Sequence, residues 1–175
     1  MFQKINEFEL VEQLLHSPKH IRELARSINV SPATAMRILN TLENKRMLTS
    51  TIQGRNKLYE LKETPEAQHI TYAVEHYKLI KRLNNPFLRN FVKYVHEHTS
   101  EVVVVFGSYA KGTHTDASDL DVYTNNPRTA QQLRKFSHKV SVQSGKLRKE
   151  SEIGQEIIKN HLILQGVEQF YKLIT

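Results

Sequence analysis
The feature that most restricts this fold is an apolar run over residues 102–106, which stops on Gly107-Ser108. The run reads as a buried strand, and the glycine marks where the chain turns. A second apolar strand follows, with Asp119 and Asp121 at alternate positions around Leu120. Side chains two apart on a strand share a face, so the two acids point one way while Leu120 and Val122 point the other. Two like charges on one face repel. That arrangement makes sense if a divalent cation sits between the carboxylates and a phosphate binds the turn; the other reading is a pair of exposed edge-strand acids. Mg²⁺ suits such a place, because it takes one or two carboxylates and fills its shell with substrate phosphates.

Gly107-Ser108, Gly112 and Ser118-Asp119-x-Asp121, in this order and after a strand, resemble the signature of the DNA polymerase beta-type nucleotidyltransferases, above all their small minimal members. The resemblance covers about the C-terminal half of the chain. It implies that Gly107 and Ser108 hold the triphosphate of an NTP, with ATP the expected one, and that Asp119 and Asp121 ligate Mg²⁺ and are catalytic. It also implies transfer of a nucleoside monophosphate to an acceptor hydroxyl with release of pyrophosphate. Minimal members pair with small helical partner proteins in toxin–antitoxin modules, so such a partner is implied here too. Amides at the start of a short helix and the Ser108 hydroxyl suit phosphate oxygens. Gly112 reads as a tight bend and Lys111 as a solvated surface lysine.

The same resemblance expects a third carboxylate from a later strand, to complete a metal site and activate the attacking hydroxyl. The matching strand, 139–143, offers Ser141 and Gln143 at the candidate positions. Neither is an acid. Glu150 and Glu152 follow it, but their spacing does not demand that they reach the site. His96 and His98 stand near a helix end and splay apart, and His114 reads as an exposed loop residue. The remaining histidines have no metal-ligand spacing.

The first 62 residues read as a separate unit. Ile5, Phe8, Val11, Leu14 and Leu15 recur at helical spacing, and 21–28 form a second short helix. Ser31 serves as N-cap and Pro32 as first-turn residue of a third helix, whose buried stripe is Ala35, Ile38, Leu39 and Leu42. Segments 49–52 and 57–61 predict a hairpin around 53–56. Three helices and a hairpin, with Glu23-Leu24-Ala25, Ser31-Pro32-Ala33-Thr34 and Leu39-x-x-Leu42-Glu43, resemble the winged helix-turn-helix of prokaryotic regulators. The resemblance implies DNA binding. The outer face of the third helix, with Thr34 and Arg37, would enter a major groove, and Arg55 and Lys57 on the wing would neutralise phosphates. Lys45 and Arg46 add to this if they face the same side. A dimer is expected, since such folds meet DNA as two-fold pairs. Dimerisation or partner docking alone is the other use of this fold.

The expected fold class is α+β. A winged helix-turn-helix over 1–62 is followed by a helical connector over 63–84 and a nucleotidyltransferase-like domain over 85–175 with a small mixed sheet flanked by helices. The connector is seeded by Thr64-Pro65, and the next helix by Asn85-Pro86. Further segments predict a helix at 127–136, a helix at 147–160, a strand at 161–164 and a helix at 167–173. The chain has 175 residues, a net charge of +7 and no cysteine. The charge favours a polyanionic partner, and the absence of cysteine excludes disulfides and thiolate chemistry. With no secretory leader and no membrane-length apolar run, a cytoplasmic location is expected. Two functions stay open: an Mg²⁺-dependent nucleotidyltransferase directed by its winged helix, and a DNA-binding regulator whose second domain, lacking the third acid, only binds nucleotide or mediates dimerisation.

Overall fold
A computed structural model describes residues 4–54 and 56–174. It divides into two compact units, Met1–Tyr77 and Lys78–Thr175, each with its own core.

The first unit runs α1 (Asn6–Leu14), β1 (Lys19–His20), α2 (Ile21–Ser27), α3 (Pro32–Asn44), β2 (Leu48–Gln53) and β3 (Asn56–Leu61). The helix α4 (Pro65–Arg82) begins in this unit. Helix α3 starts where its sequence dictates. Ser31 Oγ accepts the Thr34 amide at 3.0 Å, and Pro32 occupies the first turn, where no amide is missed. Ala35, Ile38, Leu39 and Leu42 are buried at helical spacing, the last three in one core with Leu10, Leu14 and Leu24. Burial of this one stripe holds the outer face of α3 toward solvent. Ser31→Ala is expected to lower stability by about 1 kcal/mol, read as a fall in urea midpoint with an unchanged slope. No such fall would mean that the cap contributes nothing.

Strands β2 and β3 pair from Leu48↔Leu61 to Gln53↔Asn56, forming the predicted hairpin. Two-residue β1 adds a third strand that the sequence reading lacks, antiparallel to β3 through Lys19↔Tyr59 and His20↔Leu58.

The second unit continues with α5 (Pro86–His98), β4 (Val103–Phe106), α6 (Gly107–Lys111), β5 (Leu120–Thr124), α7 (Pro127–Leu133), β6 (Val140–Ser144), α8 (Glu152–Lys159), β7 (Leu162–Gln165) and α9 (Val167–Ile174). The sheet order is β6-β5-β4-β7, with β5 and β6 parallel and the other pairs antiparallel. It is a small mixed sheet, and the chain is α+β as expected. One sheet face presents Val103, Val105, Leu120, Val122, Val140 and Val142 to Leu88, Phe91 and Val95 of α5 and Ala130 and Leu133 of α7. The other face carries Val104, Ile163 and Asp121, and α8 and α9 pack on this domain's strands through buried Ile157 and Phe170.

Two expected helices are shorter than their sequence pattern. The predicted helix at 147–160 starts only at Glu152, because Ser151 is its N-cap and accepts the Gly154 amide. Leu147 is buried, but in the preceding turn. Helix α7 ends at Leu133, while Phe136 packs beyond it against Phe87, Phe91 and Tyr94.

Candidate functional site
Strand β4 delivers the chain to Gly107 in a left-handed conformation, φ +67°. A Cβ there would stand 2.7 Å from Asp121 Oδ2, so any side chain at this position would collide with the carboxylate. Glycine is required on both counts, of backbone angle and of space. Because Phe106 pairs with Asp121 across the β4–β5 ladder, the turn that ends one strand lies directly against the acid on the next. The turn and the acid thus lie side by side. Ser108 is half-buried in the first turn of α6, and no side chain caps that helix.

Asp119 immediately precedes β5 and is exposed, whereas Asp121 lies within β5 and is half-buried. Burial pushes the Asp121 carboxyl above the ordinary carboxylate range, and the charge of Asp119 pushes it further. Neither acid has an ionic partner among the described residues. A cation between them would relieve the repulsion. The described residues contain no group of three or more His, Cys, Asp or Glu placed to hold a metal. A divalent ion held by these two carboxylates would have to draw its other ligands from phosphate and water.

The reason is the register of β6. Asp121 stands beside Ser141, and Tyr123 beside Gln143. Ser141 shares the face of Asp121 and is exposed. The strand that would supply a third acid is thus in the expected place and offers a hydroxyl. Tyr123 fills the neighbouring position and donates to the Gly145 carbonyl at 2.9 Å. Glu150 and Glu152 are exposed beyond the end of β6.

Around the turn the structure adds one contact and corrects one expectation. Lys111 is exposed, as expected, and pairs with Glu156 of α8 at 2.6 Å. The bond to Lys111 keeps the Glu156 carboxyl below its usual range. His114 is half-buried rather than exposed. Its ring stacks on Tyr109 with centroids 4.2 Å apart, and its Nε2 meets Asn85 Nδ2 at 2.9 Å. Burial raises the Tyr109 hydroxyl, followed by the charges of Asp116 and Asp119, so it stays protonated at neutral pH. Gly112 is the left-handed end of α6, φ +74°, and a Cβ there would strike the Arg82 guanidinium. That guanidinium donates to the carbonyls of Ala110 and Lys111. No sequence signal pointed to Glu156, Asn85 or Arg82, because their contacts are long-range.

In the first unit, Arg37 is exposed on the outer face of α3, beside exposed Met36. Thr34 is half-buried, its hydroxyl 2.9 Å from Ser31 Oγ in the helix cap. Lys57 is exposed on β3, and Ile52 on β2 is 78% exposed at the wing. Arg55 lies outside the described residues. Lys45 and Arg46 are exposed at the end of α3, Arg46 with φ +64°.

Residues 88–168 match the family model of the nucleotidyltransferase domain, and residues 8–51 match that of the IclR helix-turn-helix domain. The chain joins an IclR-type helix-turn-helix domain to a nucleotidyltransferase domain. No curated protein matches the chain. Solved structures similar to it include the transcriptional repressor BigR of Xylella fastidiosa, at 21% identity and TM-score 0.36, with 38% of this chain and 66% of that one covered. The adhesin competence repressor AdcR of Streptococcus pyogenes is 19% identical at TM-score 0.43, covering 49% and 64%. A mutant form of ZitR from Lactococcus lactis is 17% identical at TM-score 0.41, covering 55% and 66%. The alignments span slightly under two thirds of each of those chains. Among the described residues, no helix of the nucleotidyltransferase or helix-turn-helix domain is long and apolar enough to cross a membrane.

Proposed function
We propose that the nucleotidyltransferase domain binds an NTP, ATP in the first instance, with one divalent cation, and transfers its nucleoside monophosphate to an acceptor hydroxyl. The observation that supports this is the close approach of Gly107 to Asp121, where a Cβ on Gly107 would stand 2.7 Å from the carboxylate, so that the turn and the acid would serve one substrate. Asp119 and Asp121 would hold Mg²⁺, while Gly107 and Ser108 would receive the triphosphate. When bound, Mg²⁺ would neutralise phosphate charge and favour departure of pyrophosphate. The bond formed joins the acceptor oxygen to the α-phosphorus, the bond broken is that from the α-phosphorus to the bridging oxygen, and the acceptor proton leaves to solvent. This chain contributes positioning and charge; it brings no carboxylate base from β6. Thr34, Arg37, Arg55 and Lys57 would meet DNA, as a homodimer in the cytoplasm. A small helical toxin protein is the acceptor that the family resemblance favours.

The second reading is a DNA-binding regulator whose nucleotidyltransferase domain binds nucleotide without turning it over, or mediates dimerisation. The Asp121↔Ser141 pairing favours it. One assay separates the two. The full chain is incubated with Mg²⁺, ATP labelled at the α-phosphate, and candidate acceptors. Covalent label that disappears in the Asp119→Ala/Asp121→Ala protein supports transfer. Retained but unreacted ATP supports the regulator, and an identical result for parent and variant sinks the proposed site.

Arg37→Ala is expected to weaken DNA binding about tenfold and to flatten its salt dependence by about one phosphate contact. A fluorescence-anisotropy titration at several salt concentrations checks this. Unchanged affinity would remove Arg37 from the interface.

A further inference from the structure
We infer that the nucleotidyltransferase domain carries a nucleic-acid-binding surface of its own along β6, in addition to the winged helix. Between Asp121 and Glu150 the chain has seven of its 25 Lys and Arg and none of its 18 Asp and Glu. The remaining cations and acids are equal in number, so this one stretch accounts for the whole net charge of +7. The fold gathers that charge around one strand. β6 is an outer strand of the sheet and pairs only with β5. Arg134, Lys135 and Lys139 lie just before it, and Lys146, Arg148 and Lys149 just after it.

Among the described residues none of these six cations has an ion pair, and Asp119, Asp121 and Glu150 at the borders pair with none of them. Arg134 donates to the Val142 carbonyl of β6, Lys139 to the Asp116 carbonyl at 2.8 Å and Lys149 to the Ile174 carbonyl at 2.9 Å. Such bonds fix the side chains in place and leave their charge uncompensated. The five residues of β6 span about 16 Å at ~3.3 Å each, a length over which a nucleic-acid strand carries several phosphates. On the strand itself Ser141, Gln143 and Ser144 are exposed and neutral, and can donate to phosphate oxygens between the cations. The stretch exposes no large hydrophobic residue, so an anionic membrane would find charge but nothing to insert. Its one Phe and one Tyr, Phe136 and Tyr123, pack inward and offer no face to a base. The contact is therefore with the phosphodiester backbone, without regard to sequence. Charges that guard an edge against β-pairing stand on the strand; here they flank it.

The test uses the full chain with labelled oligothymidylate and oligouridylate, which offer α3 no duplex groove. Both are expected to bind saturably at low salt, log affinity falling against log salt with a slope of about −4, the value for six phosphate contacts on a single strand. The tighter of the two identifies the natural strand as DNA or RNA. Lys135→Gln/Lys146→Gln/Arg148→Gln removes three exposed charges. It is expected to weaken binding at least about tenfold and to flatten the slope to about −2. Arg22→Gln/Arg26→Gln/Lys93→Gln removes as many exposed charges from α2 and α5 and is expected to bind like the parent. No saturable binding, a parent slope shallower than about −2, or an equal loss in the two triple variants overturns the surface. Displacement of the strand by phosphatidylserine vesicles or polyglutamate at equal charge overturns the assignment to nucleic acid. The parent's slope and the competitors stand as tests even if the first variant does not fold. No arm uses ATP or Mg²⁺, so the nucleotide reading stands or falls separately.

Discussion
Asp121→Asn is expected to weaken Mg²⁺-dependent ATP binding by about 2 kcal/mol or more, roughly thirtyfold, and to leave DNA binding unchanged. The acid is held against the phosphate turn by β-ladder register, so no neighbouring residue can take its place. Its ionisation gives a second, independent readout. Burial and Asp119 hold the Asp121 carboxyl above its ordinary value. The folded state therefore keeps the proton more tightly than the unfolded state. Stability from this group is fully present below the unfolded value, and is lost as pH rises through the raised folded value. Asparagine is neutral throughout. Without metal, the variant should melt close to the parent in strong acid and above it at pH 7. Mg²⁺ with ATP should then raise the parent's melting temperature more than that of the variant. Thermal melts across pH, with and without Mg²⁺–ATP, check both. A melting difference that does not change with pH would show that burial and Asp119 do not raise the Asp121 carboxyl.

What the sequence made legible follows from the range of each interaction. The strand–turn–strand that holds Asp121 is local: an apolar run, a glycine, and acids on alternate residues suffice to set it out. Ser31 and Pro32 likewise start α3 through contacts within one turn. Even the serine opposite Asp121 could be found from sequence, because aligning Leu120 with Val140 and Val122 with Val142 reproduces the observed register. What stayed hidden depends on partners far along the chain. Strand β1 has only two residues and no period of its own; it exists because β3 offers an edge at Leu58 and Tyr59. The stacking of His114 needs Tyr109 and Asn85 to arrive from two other elements. The anchoring of Lys111 needs Glu156, which becomes a neighbour only once α8 packs on the sheet. The late start of α8 has a local signal that the apolar pattern outweighed, since Leu147 continues the periodicity while Ser151 supplies the cap. Gly154 adds a packing reason: a Cβ there would lie 1.9 Å from the Arg148 carbonyl oxygen, so the turn closes tightly onto the helix.

Ser141→Asp is the substitution that separates a transferase from a nucleotide-binding remnant. The new carboxylate would stand beside Asp121 on the same sheet face, in the position that β6 presents to the acids. Ser141 is exposed, so the longer side chain meets no packing barrier. Without metal it adds a third negative charge to an already repelling pair, which should raise the Asp121 carboxyl further and lower the melting temperature at pH 7. With Mg²⁺ and ATP the same carboxylate would help hold the ion and could accept the proton of the incoming hydroxyl. General-base assistance of this kind is worth about a hundredfold or more, so label transfer should increase by at least that factor while ATP affinity changes much less. A fall in stability that Mg²⁺ reverses, together with faster transfer, would mean that the site lacks only this one group. Reversal of the stability loss without faster transfer would mean that the pocket binds nucleotide and metal but does not bring an acceptor to the α-phosphorus, and the regulator reading would then hold. If Mg²⁺ fails to restore stability, the three positions do not converge on one ion, and the metal assignment to Asp119 and Asp121 falls with it.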